Sequence, residues 1–183
     1  MSKKYDYGFA SSRMLAGQGV FEICQKSDKI WGVTSDVGGS FKKFRDQWPD
    51  RYVDTGIAEQ TATGIAAGLA IEGFKPYIIG MIPFLTMRAF EQVRTDIDYQ
   101  NLPVTIIGTG GGLVSTGGAT HNAMEDVSLM RTLANMSVVS VSDPNMIIKL
   151  IHKSLDLNGP LFIRQAGPIR FADVDIWQIP YRI

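Results

Sequence analysis

The sequence predicts an α/β domain of three layers, α/β/α, built on a mostly parallel sheet. Two observations carry this. Short apolar runs alternate with amphipathic stretches of helical length, which implies βαβ crossovers and a sheet covered on both faces. No internal repeat, linker or low-complexity segment divides the 183 residues, a length that suits one domain.

Residues 1–10 read as an arm. Residues 11–26 form a helix, with Ser11 or Ser12 as N-cap and Met14, Leu15, Val20, Phe21 and Ile23 on its apolar face. Residues 29–35 (KIWGVTS) are a strand, and 36–40 the loop at its carboxyl end, the edge where open parallel sheets bind ligands. Residues 41–48 are polar and irregular, a short helix at most. Tyr52 and Val53 open a strand, Asp54, Thr55 and Gly56 turn it, and a helix follows to about 70. Strand 75–81 leads to helix 83–99, which packs Phe90, Val93 and Ile97 inward, followed by Leu102. Strand 103–108 is followed by a glycine-rich loop, 109–120. Helix 125–134, strand 136–142, helix 145–157 and strand 160–165 complete the pattern, and the tail 171–183 has no clear period.

Lysine plus arginine and aspartate plus glutamate both number 18. The balance argues against a nucleic-acid-binding surface or an acidic arm. The one cysteine, Cys24, rules out an internal disulfide, and its helical setting makes it a buried structural thiol. The first residues carry charge but no apolar core of a signal peptide, and no run reaches the ~20 apolar residues of a membrane span. A cytoplasmic location is expected.

The stretch 51–70, RYVDTGIAEQTATGIAAGLA, organises the rest. Its helix is lined with small residues: Ala58, Ala62, Gly64, Ala66, Ala67, Gly68 and Ala70. Glycine inside a helix costs about 1 kcal/mol against alanine, so close approach of another backbone, as across a subunit interface, is expected. One carboxylate, Glu59, sits in the first turn, where acids also serve simply to complement the helix dipole. The string Gly56-Ile57-Ala58-Glu59-Gln60, followed by Gly64 to Ala70, resembles the pyrimidine-binding motif of the transketolase family, thiamine-diphosphate enzymes that include the 1-deoxyxylulose-5-phosphate synthases. The resemblance runs over residues 8–170 and implies the thiamine-diphosphate-binding fold, with 1–183 a single pyrimidine domain. It also implies that Glu59 hydrogen-bonds N1′ of the aminopyrimidine and activates the cofactor.

Three further blocks extend the resemblance. Gly118-Ala119-Thr120-His121, followed by Glu125-Asp126, is similar to the segment whose histidine faces substrate, so His121 is expected to contact substrate or move its protons. Phe84 heads the helix where the family stacks an aromatic on the pyrimidine; a register offset of one residue leaves Leu85 as the alternative. Arg88 belongs either at the cleft or in an ion pair with Glu91 or Glu72. Ser35 to Ser40 resembles the loop beside the cofactor. It implies cofactor contact for Asp36, with Ile57 from the first motif, and sugar-phosphate contact for Ser40 and Arg13. Arg13 reads equally well as a solvated cation.

The departures concern substrate. Gly117 stands where the family often has an acid, a histidine usual near 109–111 is absent, and strand 136–142 carries Ser140 in place of an arginine. The Gly-Asp-Gly segment that holds Mg²⁺ and diphosphate is missing, as is a transketolase C-terminal domain. Either the enzyme is naturally split or the chain is a fragment; in either case the resemblance implies half of a site, with Mg²⁺ held by a diphosphate-binding partner chain in an α₂β₂-type heteromer. The activity expected is two-carbon ketol transfer by a split transketolase-like enzyme. The alternatives are a subunit of a 2-keto-acid decarboxylating or deoxyxylulose-phosphate-synthase-like enzyme, and a non-catalytic regulatory homologue.

Overall fold

The structure, a computed structural model, describes residues 12–166; the expected arm, Ser11 and the tail lie outside them. Six strands form one sheet in the order β2-β1-β3-β4-β6-β5, and every pair is parallel. They are β1 (Ile30–Thr34), β2 (Tyr52–Asp54), β3 (Lys75–Met81), β4 (Thr105–Gly111), β5 (Ser137–Val141) and β6 (Leu161–Ala166). Helices cover both faces, the three-layer α/β/α arrangement expected.

Alternation along the strands sorts side chains between two cores. Ile78, Ile106 and Phe162 face one side, where α3 (Glu59–Ile71), the helical segment 84–98 and α5 (Asp126–Arg131) pack. Tyr77, Ile79, Ile107 and Ile163 face the other, under α1 (Ser12–Cys24), α2 (Lys42–Gln47) and α6 (Pro144–Ser154). The buried Tyr77 hydroxyl is satisfied by Ser154 Oγ at 2.7 Å. Cys24 is buried in this second core, and burial pushes its thiol up to about 11.

Two elements differ from the sequence pattern. The stretch read as one helix, 83–99, holds only one α-helical turn, α4 (Phe90–Gln92), between two π-helical stretches, Phe84–Arg88 and Val93–Asp98. The apolar spacing of Phe90, Val93 and Ile97 satisfies either helix type, so it does not reveal the wider turns. Strand β4 runs to Gly111, three residues beyond the expected end, because Thr109 still pairs with Met81 and Gly111 with Ala166 across a bulge.

Helix α3 divides its small residues between two faces. Ala62, Ala66, Ala67 and Ala70 pack into the chain's own core. Gly64 and Gly68 face away, with open space where a Cβ would stand. Only the second set is available to another subunit.

Candidate active site

A parallel sheet gathers its loops at the carboxyl ends of its strands. Here the ends of β1, β2, β3 and β4 converge. Ser35, just after β1, donates its hydroxyl to Gly56 O (2.9 Å), tying the first loop to the turn after β2. Gly56 takes φ +63° in that turn, and its N–H donates to Asp54 Oδ1 (3.0 Å). The turn delivers the chain into α3 with Glu59 as its first residue. Glu59 is 2% exposed. No side chain caps this helix, so a carboxylate in its first turn also complements the dipole.

Glu59 is not left alone. Arg88 Nη1 donates to its Oε2 at 2.8 Å. Arg88 thus pairs with neither Glu91 nor Glu72; Glu91 is taken by Arg94 at 2.9 Å. The same guanidinium lies over the Phe84 ring, Cζ 4.2 Å from the centroid, in cation–π contact. His121 meets that ring edge-on, centroids 5.1 Å apart and planes at 85°. Four residues from three segments therefore make one cluster: Glu59, Arg88, Phe84 and His121.

The π-helical turn explains how Phe84 gets there. Ala89 N donates to Phe84 O (3.0 Å), and Thr86 Oγ1 donates to Ile82 O (2.8 Å). Leu85 then points into the core against Gly80, where an added Cβ would stand 2.9 Å from it. Of the two candidates for the stacking position, Phe84 presents its ring to the cluster and Leu85 is fully buried.

The glycine-rich loop is a clip, not an open loop. Gly112 and Ala123 form an antiparallel bridge, and Ser115 N donates to Asn122 Oδ1 (3.1 Å). Gly118 at φ +93° turns the chain into the short helical turn Ala119–His121. A Cβ on Gly117 would lie 2.8 Å from the His121 ring, so glycine is what lets the imidazole sit there. Thr120 Oγ1 and His121 Nδ1 are in hydrogen-bond contact at 3.0 Å.

Beneath the clip lies a buried ion pair that sequence reasoning missed. Arg164 Nε donates to Asp126 Oδ2 at 2.6 Å, and Asp126 is fully buried with Oδ1 unpartnered. The Arg164 guanidinium packs on Gly111, where a Cβ would stand 2.8 Å away. Arg164 lies beside Ser140 in register on β5, so the sheet does carry an arginine at this edge, one strand over. The partners are 38 residues apart, and no local pattern signals them.

The other expected residues stand outside the cluster. Ile57, in the turn before Glu59, is 72% exposed. Asp36 is exposed at φ +57°, left-handed backbone that aspartate tolerates. Ser40 is buried under α1, its hydroxyl without a partner and its carbonyl against Gly17. Arg13 is exposed on α1. Among the described residues no three His, Cys, Asp or Glu side chains gather as a metal site would require, and no helix is long and apolar enough to cross a membrane.

Residues 10–166 match the pyrimidine-binding domain family of transketolase. The chain belongs to this family. As a pyrimidine-binding domain it is 36% identical over 162 residues to the 1-deoxy-D-xylulose-5-phosphate synthase of Clostridium perfringens strain SM101, covering 87% of this chain and 26% of that protein. It is 38% identical over 150 residues to the synthase of Caldanaerobacter subterraneus, covering 81% and 24%. The domain spans about a quarter of the curated relatives it matches. A solved split-gene transketolase, an inactive β4 tetramer, superimposes with TM-score 0.81 at 32% identity, over 96% of this chain and 57% of the other. Transketolase of Pichia stipitis shares the fold, TM-score 0.72 at 20% identity.

Proposed function

We propose that this pyrimidine-binding domain supplies half of a thiamine-diphosphate site in a split, transketolase-like enzyme that transfers a two-carbon ketol unit. The observation that carries the reading is the buried carboxylate of Glu59 beside the half-exposed ring of Phe84. A planar aminopyrimidine fits that pair, stacking on the ring while a ring nitrogen meets the carboxylate. When bound, the cofactor supplies a nucleophilic carbon that attacks a carbonyl and accepts the electron pair of the broken C–C bond. The protein's part is positioning and proton handling. Glu59 holds N1′ and exchanges a proton there. Phe84 fixes the plane of the ring, and the exposed Ile57 and Asp36 border the entrance. His121, packed against Phe84, binds substrate and moves its proton. By the resemblance Arg13 falls on the substrate side, whereas Ser40 is buried under α1 and Arg88 is engaged by Glu59 and Phe84, so neither faces substrate as the side chains stand.

Mg²⁺ and the diphosphate fall to a partner chain, as the resemblance implies. Likeness to a split-gene transketolase supports the division into subunits, and an α₂β₂ heteromer in the cytoplasm is the assembly proposed. Replacing Glu59 with alanine in the assembled enzyme should reduce activity to below a few per cent, roughly the loss of a general acid–base group, with the circular dichroism spectrum unchanged. Retained activity would contradict the role of Glu59.

The identities of 35–38% with 1-deoxy-D-xylulose-5-phosphate synthases favour a second reading, in which the assembled enzyme decarboxylates a 2-keto acid before transfer. Release of carbon dioxide from pyruvate distinguishes the two.

A further inference from the structure

Two groups assigned above to the cofactor ring are already engaged, and by one side chain. Arg88 donates to Glu59 Oε2 at 2.8 Å while its guanidinium covers the Phe84 ring at 4.2 Å. A guanidinium is flat, stacks on aromatic faces and donates N–H bonds in its own plane. It therefore presents to Phe84 and Glu59 the two features that an aminopyrimidine presents: a flat face and an in-plane hydrogen-bonding edge. Phe84 and Arg88 open and close the same five-residue π turn, so the backbone holds cation and ring together. His121 packs on the same ring nearly perpendicular to it, centroids 5.1 Å apart.

We propose that Arg88 is a built-in occupant of the pyrimidine slot. It fills the place of the aminopyrimidine when the cofactor is away and has to swing out for the ring to enter. The proposal rests on the reading of Glu59 and Phe84 given above. Exposure fits the motion: the Arg88 side chain is 43% exposed and has an open route to water, whereas that of Glu59 is 3% exposed and stays. The contact also has a purpose of its own. A buried charge without a partner is strongly destabilising, and Arg88 partners this one until the ligand does. The consequence is competition. The apparent affinity for the ring falls by the fraction of molecules in which the slot is open.

The test uses the full chain and thiamine, which carries the aminopyrimidine without the diphosphate, titrated by NMR. Wild type, Arg88→Ala, Arg88→Lys and Glu59→Gln are compared, each checked first by its amide spectrum. Arg88→Ala is expected to bind thiamine on the order of tenfold more tightly than wild type. Arg88→Lys, which keeps charge but loses the flat face, should fall between. In wild type the Arg88 Nε–H signal should move as thiamine is added. Equal or weaker binding by Arg88→Ala and Arg88→Lys overturns the proposal. If Glu59→Gln loses binding while the Arg88 variants gain none, the pyrimidine reading survives and the occupant fails. If Glu59→Gln binds like wild type, the pyrimidine reading itself fails. If thiamine shifts no signal in any protein, the proposal is again contradicted, because removing Arg88 would have opened nothing.

Discussion

Arg88 Nη1 stands 2.8 Å from Glu59 Oε2, and the two side chains differ sharply in exposure, 43% against 3%. The pair is therefore not symmetric. Without Glu59, Arg88 turns to water; without Arg88, Glu59 keeps a buried carboxylate with no cation.

Truncating the exposed partner should thus cost more than neutralising the buried one. Arg88→Ala is expected to lose about 1–3 kcal/mol, the penalty of an unsatisfied buried acceptor. Glu59→Gln, which keeps the shape, should lose less than about 1 kcal/mol, the range of half-exposed pairs. Urea denaturation of the two variants measures the difference. Equal losses would show that Arg88 does not support the carboxylate.

In the Asp126–Arg164 pair the carboxylate is fully buried and the guanidinium is 17% exposed, so the cost of breaking it falls on Asp126. Arg164→Met leaves Asp126 uncompensated in the core and is expected to cost about 3–5 kcal/mol. Adding Asp126→Asn to it should recover part of that loss. A double-mutant cycle reads the coupling, and additive single losses would contradict the pairing.

Two glycines make opposite predictions. Gly117→Ala places a Cβ 2.8 Å from the His121 ring and should push the imidazole away from Phe84. The ring-current shift of the His121 protons would then collapse. Gly64→Ala adds a methyl group to open space on a helix and should stabilise the isolated chain by about 0.5–1 kcal/mol. If the outer face of α3 docks the partner chain, the same change should weaken association in a pull-down with that partner.

Stability should fall at alkaline pH. Burial raises the folded-state Cys24 thiol from 9.0 to about 11 and the Tyr77 phenol from 10.0 to about 12. A raised folded value means that the unfolded chain loses its proton first. The stabilisation is thus complete below pH 9 and is lost as pH climbs toward 11 and 12. The slope is up to about 1.4 kcal/mol per pH unit for each group. Denaturation midpoints across this range test it, and a midpoint that holds steady above pH 9 would contradict the burial of both groups.

The strands and the place of Glu59 were legible because they rest on local signals: apolar runs for β1, β3, β4 and β6, and a turn glycine before a small-residue helix. The end of β4 was not legible, because its last residues are glycines whose pairing depends on β6. The π turn at Phe84–Arg88 was hidden because apolar spacing fits both helix types. It is this turn that buries Leu85 and turns Phe84 to the cluster. Arg88–Glu59 and Arg164–Asp126 join residues 29 and 38 apart. Arg88 also had the nearer acids Glu91 and Glu72 within reach of a sequence argument, and only the fold chooses among them.

The function proposed for this chain is to hold the pyrimidine half of a shared cofactor site. Native mass spectrometry of the tagged full chain, purified from its own host, tests it most directly. The expected result is a complex with a second polypeptide that carries thiamine diphosphate, with the cofactor mass lost in Glu59→Ala while the two chains stay together. A lone chain or homo-oligomer without thiamine diphosphate, or a complex that keeps its cofactor after Glu59→Ala, would contradict it.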